Sequence, residues 1–252
     1  MTRDQLAAAL AALTIGLTGA AAIAATAVPA NITAGLADKG RPAADVSRDA
    51  ARHPGEMLAW AGVKPGAKVA DFIMGGGYFT RVLAVAVGPK GHVWAYQPVE
   101  FIKFRAAYGD EQKAVAGAYP NVTPITASFA DLKLPDGLDM VMTVQNYHDL
   151  HLKAFPADNA AKMNAEIFRA LKPGGTYLVV DHVGLAGAET PDKVHRIDPA
   201  QIKTEVAAAG FKLAGESDLL RNPADPHTAL VFDPSIRGKT DQVILKFVKP
   251  KT

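Results

Sequence analysis

The 252-residue chain has no cysteine. That single absence excludes disulfides, thiolate-ligated zinc, a cysteine nucleophile and a lipid-anchored cysteine. Charge of one sign is also scarce. Lys plus Arg is 27 and Asp plus Glu is 25, a net +2, which leaves no electrostatic footprint for nucleic acid. No Gly-x-Ser-x-Gly elbow and no complete Gly-x-x-x-x-Gly-Lys-Ser/Thr phosphate loop occurs, so serine hydrolase and nucleoside triphosphatase readings fall away. What remains is 49% hydrophobic and 21% charged, a composition that builds a packed core rather than a disordered chain.

From Leu6 to Ala30 there is no charged side chain. The apolar run ends in small residues around Ala25–Ala27, the pattern of a secretory signal cleaved after Ala27. The expectation is an exported, periplasmic protein with no stable membrane span after cleavage. The alternative is a retained N-terminal anchor, since about 20 apolar residues can cross a bilayer. Residues 28–46 hold Pro29, Gly35, Gly40 and Pro42 among small and polar residues, and read as a linker or arm without regular structure. A single domain is expected over 47–252.

Beyond the arm, strand and helix patterns alternate. Apolar runs at 68–73, 92–96, 121–126, 138–144 and 176–180 read as strands, with helical patterns at 78–87, 101–118, 157–171 and 199–209 between them, and strands at 211–219 and 241–248 closing the chain. Residues 42–61 read as helices ahead of the first strand. Strands separated by helices make right-handed crossovers. The expected fold is therefore α/β, a doubly wound, mostly parallel seven-stranded sheet with helices on both faces and an antiparallel last strand.

Asp71-Phe72-Ile73-Met74-Gly75-Gly76-Gly77-Tyr78 is a strand end, a glycine-rich turn and a helix start. Such a turn lets a ligand approach the backbone, and the helix behind it offers free N–H groups. In a doubly wound sheet ligands sit beyond the carboxyl ends of the strands.

This segment resembles the first motif of the class I S-adenosylmethionine-dependent methyltransferases. Leu171-Lys172-Pro173-Gly174-Gly175, leading to Asp181, resembles the turn before their fifth strand. More narrowly the chain is similar to a group of often exported bacterial methyltransferases, on Arg48-Asp49, Arg52-His53-Pro54, Gly75-Gly76-Gly77-Tyr78, Asn146-Tyr147-His148-Asp149, Asp181-His182, His195-Arg196-Ile197-Asp198 and Arg237-Gly238-Lys239-Thr240-Asp241. The resemblance implies a Rossmann-like methyltransferase fold and S-adenosyl-L-methionine as cofactor. It places Asp71, Gly75, Gly76, Gly77 and Tyr78 at the methionine end, Gln97 at the ribose, Ser128 and Phe129 at the adenine, and Gln145 beyond the fourth strand. The sequence departs from the family in three places. Ile73 stands where the motif has its first glycine, and Gln97 and Ser128 stand where acids hold the ribose and adenine. Each neutral replacement loses a charge-assisted bond.

Three of the seven histidines follow strand ends or the loop beyond. A neutral imidazole removes protons near pH 7, so His148, oriented by Asp149 or Asp181, is the expected base for a small-molecule acceptor, with His182 and His195 shaping the acceptor pocket and Asp198 close by. Each histidine taken alone also reads as a strand-end cap. His and Asp together suit zinc, iron or manganese, but no His-x-x-x-His or His-Glu-x-x-His spacing is present, and no metal is assigned. Arg48, Arg52 and Arg196 read either as anion ligands or as ion pairs to Asp49 or Asp198. Residues 221–240, with three prolines, suit a long ordered loop over a site. Two functions follow: methyl transfer to a small acceptor, or a methyltransferase-like protein that no longer methylates and uses the cluster for binding or other chemistry.

Overall fold

The computed structural model describes residues 27–187 and 189–251. The apolar run over 1–26, and with it the signal or anchor expectation, lies outside these residues. Among the described residues no helix is long and apolar enough to cross a membrane.

In chain order the elements are α1 (Ala30–Leu36), α2 (Ala43–Val46), α3 (Asp49–Arg52), α4 (Pro54–Ala61), β1 (Lys68–Phe72), α5 (Tyr78–Val87), β2 (His92–Pro98), α6 (Val99–Phe104), α7 (Ala107–Ala118), β3 (Val122–Ala127) and β4 (Leu138–Val144). A 3-10 turn (His148–His151) follows, then α8 (Asn159–Ala170), β5 (Leu171–His182), α9 (Thr190–Val194), α10 (Pro199–Ala208), β6 (Lys212–Ser217) and β7 (Gln242–Val248). The seven strands form one sheet in the order β3-β2-β1-β4-β5-β7-β6. All neighbours are parallel except β7, which runs antiparallel to both β5 and β6. The chain starts at β1 in the middle, winds outward to β3, then returns to β4 on the other side. The strand order therefore reverses between β1 and β4, and that crevice is where a ligand site is expected.

The central strands are apolar on both faces because helices cover both, as parallel sheets require. On one face Ile32, Leu58, Val82, Leu83 and Met142 form a core with α1, α4 and α5. On the other, Ile167, Tyr177, Val206, Phe211 and Phe247 form a second core under α8 and α10. Each such side chain, fully buried, contributes about 1.5–3 kcal/mol. Helix ends follow local chemistry. α4 begins with Pro54 and ends at the left-handed Gly62, the usual asymmetry of start and stop residues. Asp198 caps α10, accepting from the Ala200 N–H at 2.8 Å.

Four expectations change. Residues 28–46 carry α1 and α2 instead of an arm without regular structure, and Ile32 explains why: it is buried in the core, so the segment packs rather than links. The helix expected over 101–118 breaks at Arg105, whose backbone is extended and whose guanidinium pairs with Glu111 at 2.7 Å. The turn at Lys172–Gly175 is absorbed into an irregular start of β5, where the register against β4 slips between Leu138 and Met140. Asp198, expected near the histidines, is spent on capping α10.

Candidate functional site

The crevice between β1 and β4 holds a cavity of about 190 Å3. Its walls are the carboxyl end of β1 and the glycine turn (Asp71, Ile73 to Gly76, Tyr78), the end of β4 (Val144 to Asn146), and Arg48 and Arg52 from above. Three peptide features make it. Gly75 is left-handed (φ +55°) and a Cβ there would meet nothing within 4 Å, so this glycine is needed for its backbone and opens onto space. Gly77 (φ +83°) is needed for packing, because a Cβ would stand 2.7 Å from Val115 on α7. Ile73, at the position of the motif's first glycine, keeps the glycine-like φ of +64° despite its branched side chain.

Asp71 is buried and accepts a hydrogen bond from Thr80 Oγ1 at 2.6 Å. Burial dominates its titration and pushes the carboxyl up to about 6, with Thr80 and Arg52 pulling the other way. Arg52 donates to Gln145 Oε1 at 2.6 Å and lies over the rings of Tyr78 and Phe79 at 4.6 and 5.3 Å. Burial, reinforced by the Arg48 charge, lowers its guanidinium to about 10. Arg48 pairs with Asp45 at 2.6 Å, and Asp49 is taken by Arg41 at 2.6 Å. The cavity is therefore cationic above and carboxylate-lined below.

The residues expected on the cofactor divide. Asp71, Gly75, Gly76, Tyr78 and Gln145 line the cavity, and Gly77 shapes it from behind. Gln97 is fully buried at the end of β2, and neither its amide oxygen nor its nitrogen has a partner. Phe129 is buried in an aromatic cluster with Tyr96, Phe101 and Phe155. Ser128 bonds Asp131 at 2.6 Å. None of these three lines the cavity, whose volume falls below the ~300 Å3 at the lower end of small-molecule sites. The chain's donors thus fit the amino-acid end of S-adenosylmethionine: free N–H groups of the glycine turn and a guanidinium for a carboxylate, with Asp71 for an ammonium. On the adenosine side the unpartnered Gln97 amide fits a ligand that brings its own donor and acceptor, in a region that is closed here. Tyr108 and Asn146 line the cavity without having been singled out as ligands. Asn146 was within reach of strand-end reasoning: its amide ties the ends of β1 and β4, donating to Ile73 O at 3.2 Å and Val144 O at 2.8 Å. Tyr108 reaches the wall only through the helix break, which the sequence does not announce.

Farther along the rim the structure brings His148, Asp149 and His195 together. His148 is buried, and Asp181, fully buried, accepts from its Nδ1 at 2.8 Å and from its backbone N–H at 2.7 Å. Burial by itself lowers the imidazole, but the Asp181 and Asp149 carboxylates outweigh it and raise it to about 10. The two carboxylates thus favour the charged form of the His148 ring. Asp149 stays ionised: burial opposes it, and His148 pulls the carboxyl down to about 2. His195 is the member that solvent reaches, with 29% of its side chain exposed. His182 is not part of this group. Its Nδ1 lies 2.7 Å from Thr240 Oγ1, and burial lowers it to about 4, so it is neutral. Arg196 pairs with Asp225 at 2.7 Å, both fully buried, and not with Asp198.

Strand order and cavity position settle the architecture. The chain has the fold of the class I methyltransferases. It is similar to an S-adenosylmethionine-dependent methyltransferase from Aquifex aeolicus, with a TM-score of 0.54 and 18% identity over 77% of this chain and 88% of that one. It is equally similar to the [4+2]-cyclase SpnF, with a TM-score of 0.55 and 18% identity over 85% of each. In sequence it is 32% identical over 128 residues to the ubiquinone/menaquinone biosynthesis C-methyltransferase UbiE of Burkholderia mallei, covering 49% of this chain and 46% of that protein. The corresponding protein of Cupriavidus taiwanensis is 31% identical over the same length. The chain spans about half the length of the curated relatives it matches. No family model matches it.

Proposed function

We propose that the chain transfers a methyl group from S-adenosylmethionine to a small-molecule acceptor, outside the cytoplasm where residues 6–27 direct it. The observation that carries this reading is the cavity at the strand-order reversal, built on the glycine turn and roofed by Arg52. The methyltransferase names of relatives that the chain matches over 46% of their length support it.

The cofactor, when bound, supplies an electrophilic methyl group on a sulfonium. The chain's residues do the rest. The turn N–H groups and Arg52 would hold the carboxylate of the amino-acid end, and Asp71, ionised above about pH 6, would pair with its ammonium. Tyr78 and Phe79, stacked edge to face at 4.8 Å, wall the cavity with aromatic surface. Alignment and exclusion of water lower the barrier to such a transfer without covalent chemistry by the protein. At the acceptor end the proton leaves through the His148–Asp149–His195 group. Asp149 is its ionised member, which balances the positive charge as the proton moves out, His195 is its solvent-reaching member, and Asp181 fixes the ring of His148.

Calorimetric titration of the full chain with S-adenosylmethionine and S-adenosylhomocysteine tests the reading. Binding in the micromolar range, about −8 kcal/mol, and its loss in Gly75→Asp, are expected. No heat up to about millimolar ligand refutes it, and leaves a methyltransferase-like protein whose rim cluster serves another ligand.

A further inference from the structure

Nδ1 and Nε2 of the His148 ring have different surroundings. Nδ1 makes an ordinary hydrogen bond to Asp181 at 2.8 Å. Nε2 stands 3.3 Å from His195 Nδ1 and 3.3 Å from Asp149 Oδ1, and those two atoms are 3.7 Å apart. Hydrogen-bonded N–H···O pairs centre near 2.9–3.0 Å, so this triangle is stretched for a hydrogen-bonded group. It matches another figure closely. Two ligands of a tetrahedral ion at ~2.1 Å each lie about 3.4 Å apart.

We propose that His148 Nε2, His195 Nδ1 and Asp149 Oδ1 form a binding site for a divalent transition ion, zinc above all. The donor set is two imidazoles and one carboxylate, the set used by open catalytic sites with room for a water or substrate oxygen. Three features beyond the triangle support it. Asp181 holds Nδ1 of His148, which leaves Nε2 as the ring atom in the triangle, where a bound ion would take the place of its proton, as carboxylates behind metal-bound histidines arrange. His195 is held left-handed at φ +52° at the end of α9, a conformation few non-glycine residues adopt and one often kept where a side chain must be aimed. The ring of Phe232 packs beside that of His195 at 5.1 Å, and 29% of the His195 side chain stays open to solvent. Asp181 and His182 leave the triangle itself to the three ligands, since His182 is turned to Thr240.

The site goes beyond the methyl-transfer reading and does not depend on it. If both hold, an ion there would lower the pKa of an acceptor hydroxyl or a bound water, whose proton would pass to solvent in place of the imidazole route. Sequence spacing conceals the site because His148 and Asp149 come from the 3-10 turn after β4 while His195 comes from the end of α9.

Binding is measured without cofactor, so its failure and the failure of methyl transfer are separate results. The full chain, stripped with chelator, is titrated with Zn2+ against a chromophoric competitor and with Co2+ for visible d–d absorption. One equivalent is expected, with the intense bands of four-coordinate cobalt. His195→Ala, the variant least exposed to folding failure, loses about 100-fold or more in affinity, and Asp181→Asn loses about 10–100-fold. Circular dichroism checks that both remain folded, and His53→Gln, on the exposed turn before α4, is the unaffected control. Less than a fifth of an equivalent at about 100 µM free Zn2+, six-coordinate cobalt bands with an unchanged affinity in His195→Ala, or equal affinity in all variants overturns the proposal.

Discussion

Ile73 gives the sharpest test of the backbone at the site. Its φ of +64° lies where an L-residue pays about 1–2 kcal/mol relative to its right-handed alternatives, and a branched side chain adds crowding. The side chain is also buried, with 3% exposed, in the core with Tyr96, Phe129 and Tyr147. Two substitutions separate these effects. Ile73→Ala keeps the strain and loses packing, at a cost of about 2–5 kcal/mol. Ile73→Gly loses one methyl more, about 0.8 kcal/mol, but releases the backbone. At an ordinary negative φ the glycine variant would trail the alanine variant by about 1.5 kcal/mol, from the lost methyl and glycine's extra chain entropy. Here the released strain, about 1–2 kcal/mol, roughly cancels both, so Ile73→Gly lies within about 0.5 kcal/mol of Ile73→Ala. Urea unfolding at equal m-values reads the difference as a midpoint shift. A glycine variant less stable than alanine by about 1 kcal/mol or more refutes the left-handed conformation and the motif register built on it.

Two further perturbations test burial and charge. Asp225→Ala strands the guanidinium of Arg196, whose ion pair has no exposed side-chain surface on either member. The expected loss is about 3–5 kcal/mol in urea unfolding, while Arg196→Met with Asp225→Leu loses much less, and equal losses in the two variants contradict the account. His182, lowered to about 4 by burial from an ordinary value near 6.5, binds its proton more weakly folded than unfolded, so its stabilisation is complete above pH 6.5 and is lost as pH falls toward 4. Asp71, raised to about 6, acts in the opposite direction over the same window, each by about 3 kcal/mol at most. His182→Gln removes one side of that balance: at pH 5 the gap between wild type and variant narrows by about 2 kcal/mol relative to pH 7.5, and a gap independent of pH shows that His182 is not buried neutral.

Periodicity was enough for most of the sheet. β4 and α5 fall on the residues the apolar pattern marks, because a strand buried on both faces and a helix between two glycines each carry a complete local signal. α1 was hidden since its apolar content is one isoleucine and a leucine among prolines and glycines; it forms because Gly35 lets its backbone approach Val82 of α5, where a Cβ would stand 2.5 Å from a carbonyl oxygen. That is a tertiary fact with no local trace. The break at Arg105 is of the same kind. The glycine turn and the rim histidines were legible as residue types after strand ends. Their grouping was not: Asp198 and His182 sit as close in sequence to the cluster as His195 does, and only the chain path after β5 selects among them.

Part of the molecule's backbone strain falls at the two candidate sites. Five non-glycine residues are left-handed among those described: His53, Ile73, Gln145, His195 and His227. Gln145 and His195 have polar side chains aimed by that geometry, one at Arg52 and one at the His148–Asp149 pair. Each such conformation costs about 1–3 kcal/mol, and hydrogen bonding to a neighbouring side chain does not require it, since an ordinary loop conformation serves that purpose elsewhere in the molecule. A fold that had lost its ligand would gain stability by relaxing these positions. That Gln145 faces the cavity while His195 completes a triangle of ligand-like spacing places the stored energy on the two features where a small molecule and an ion would recover it.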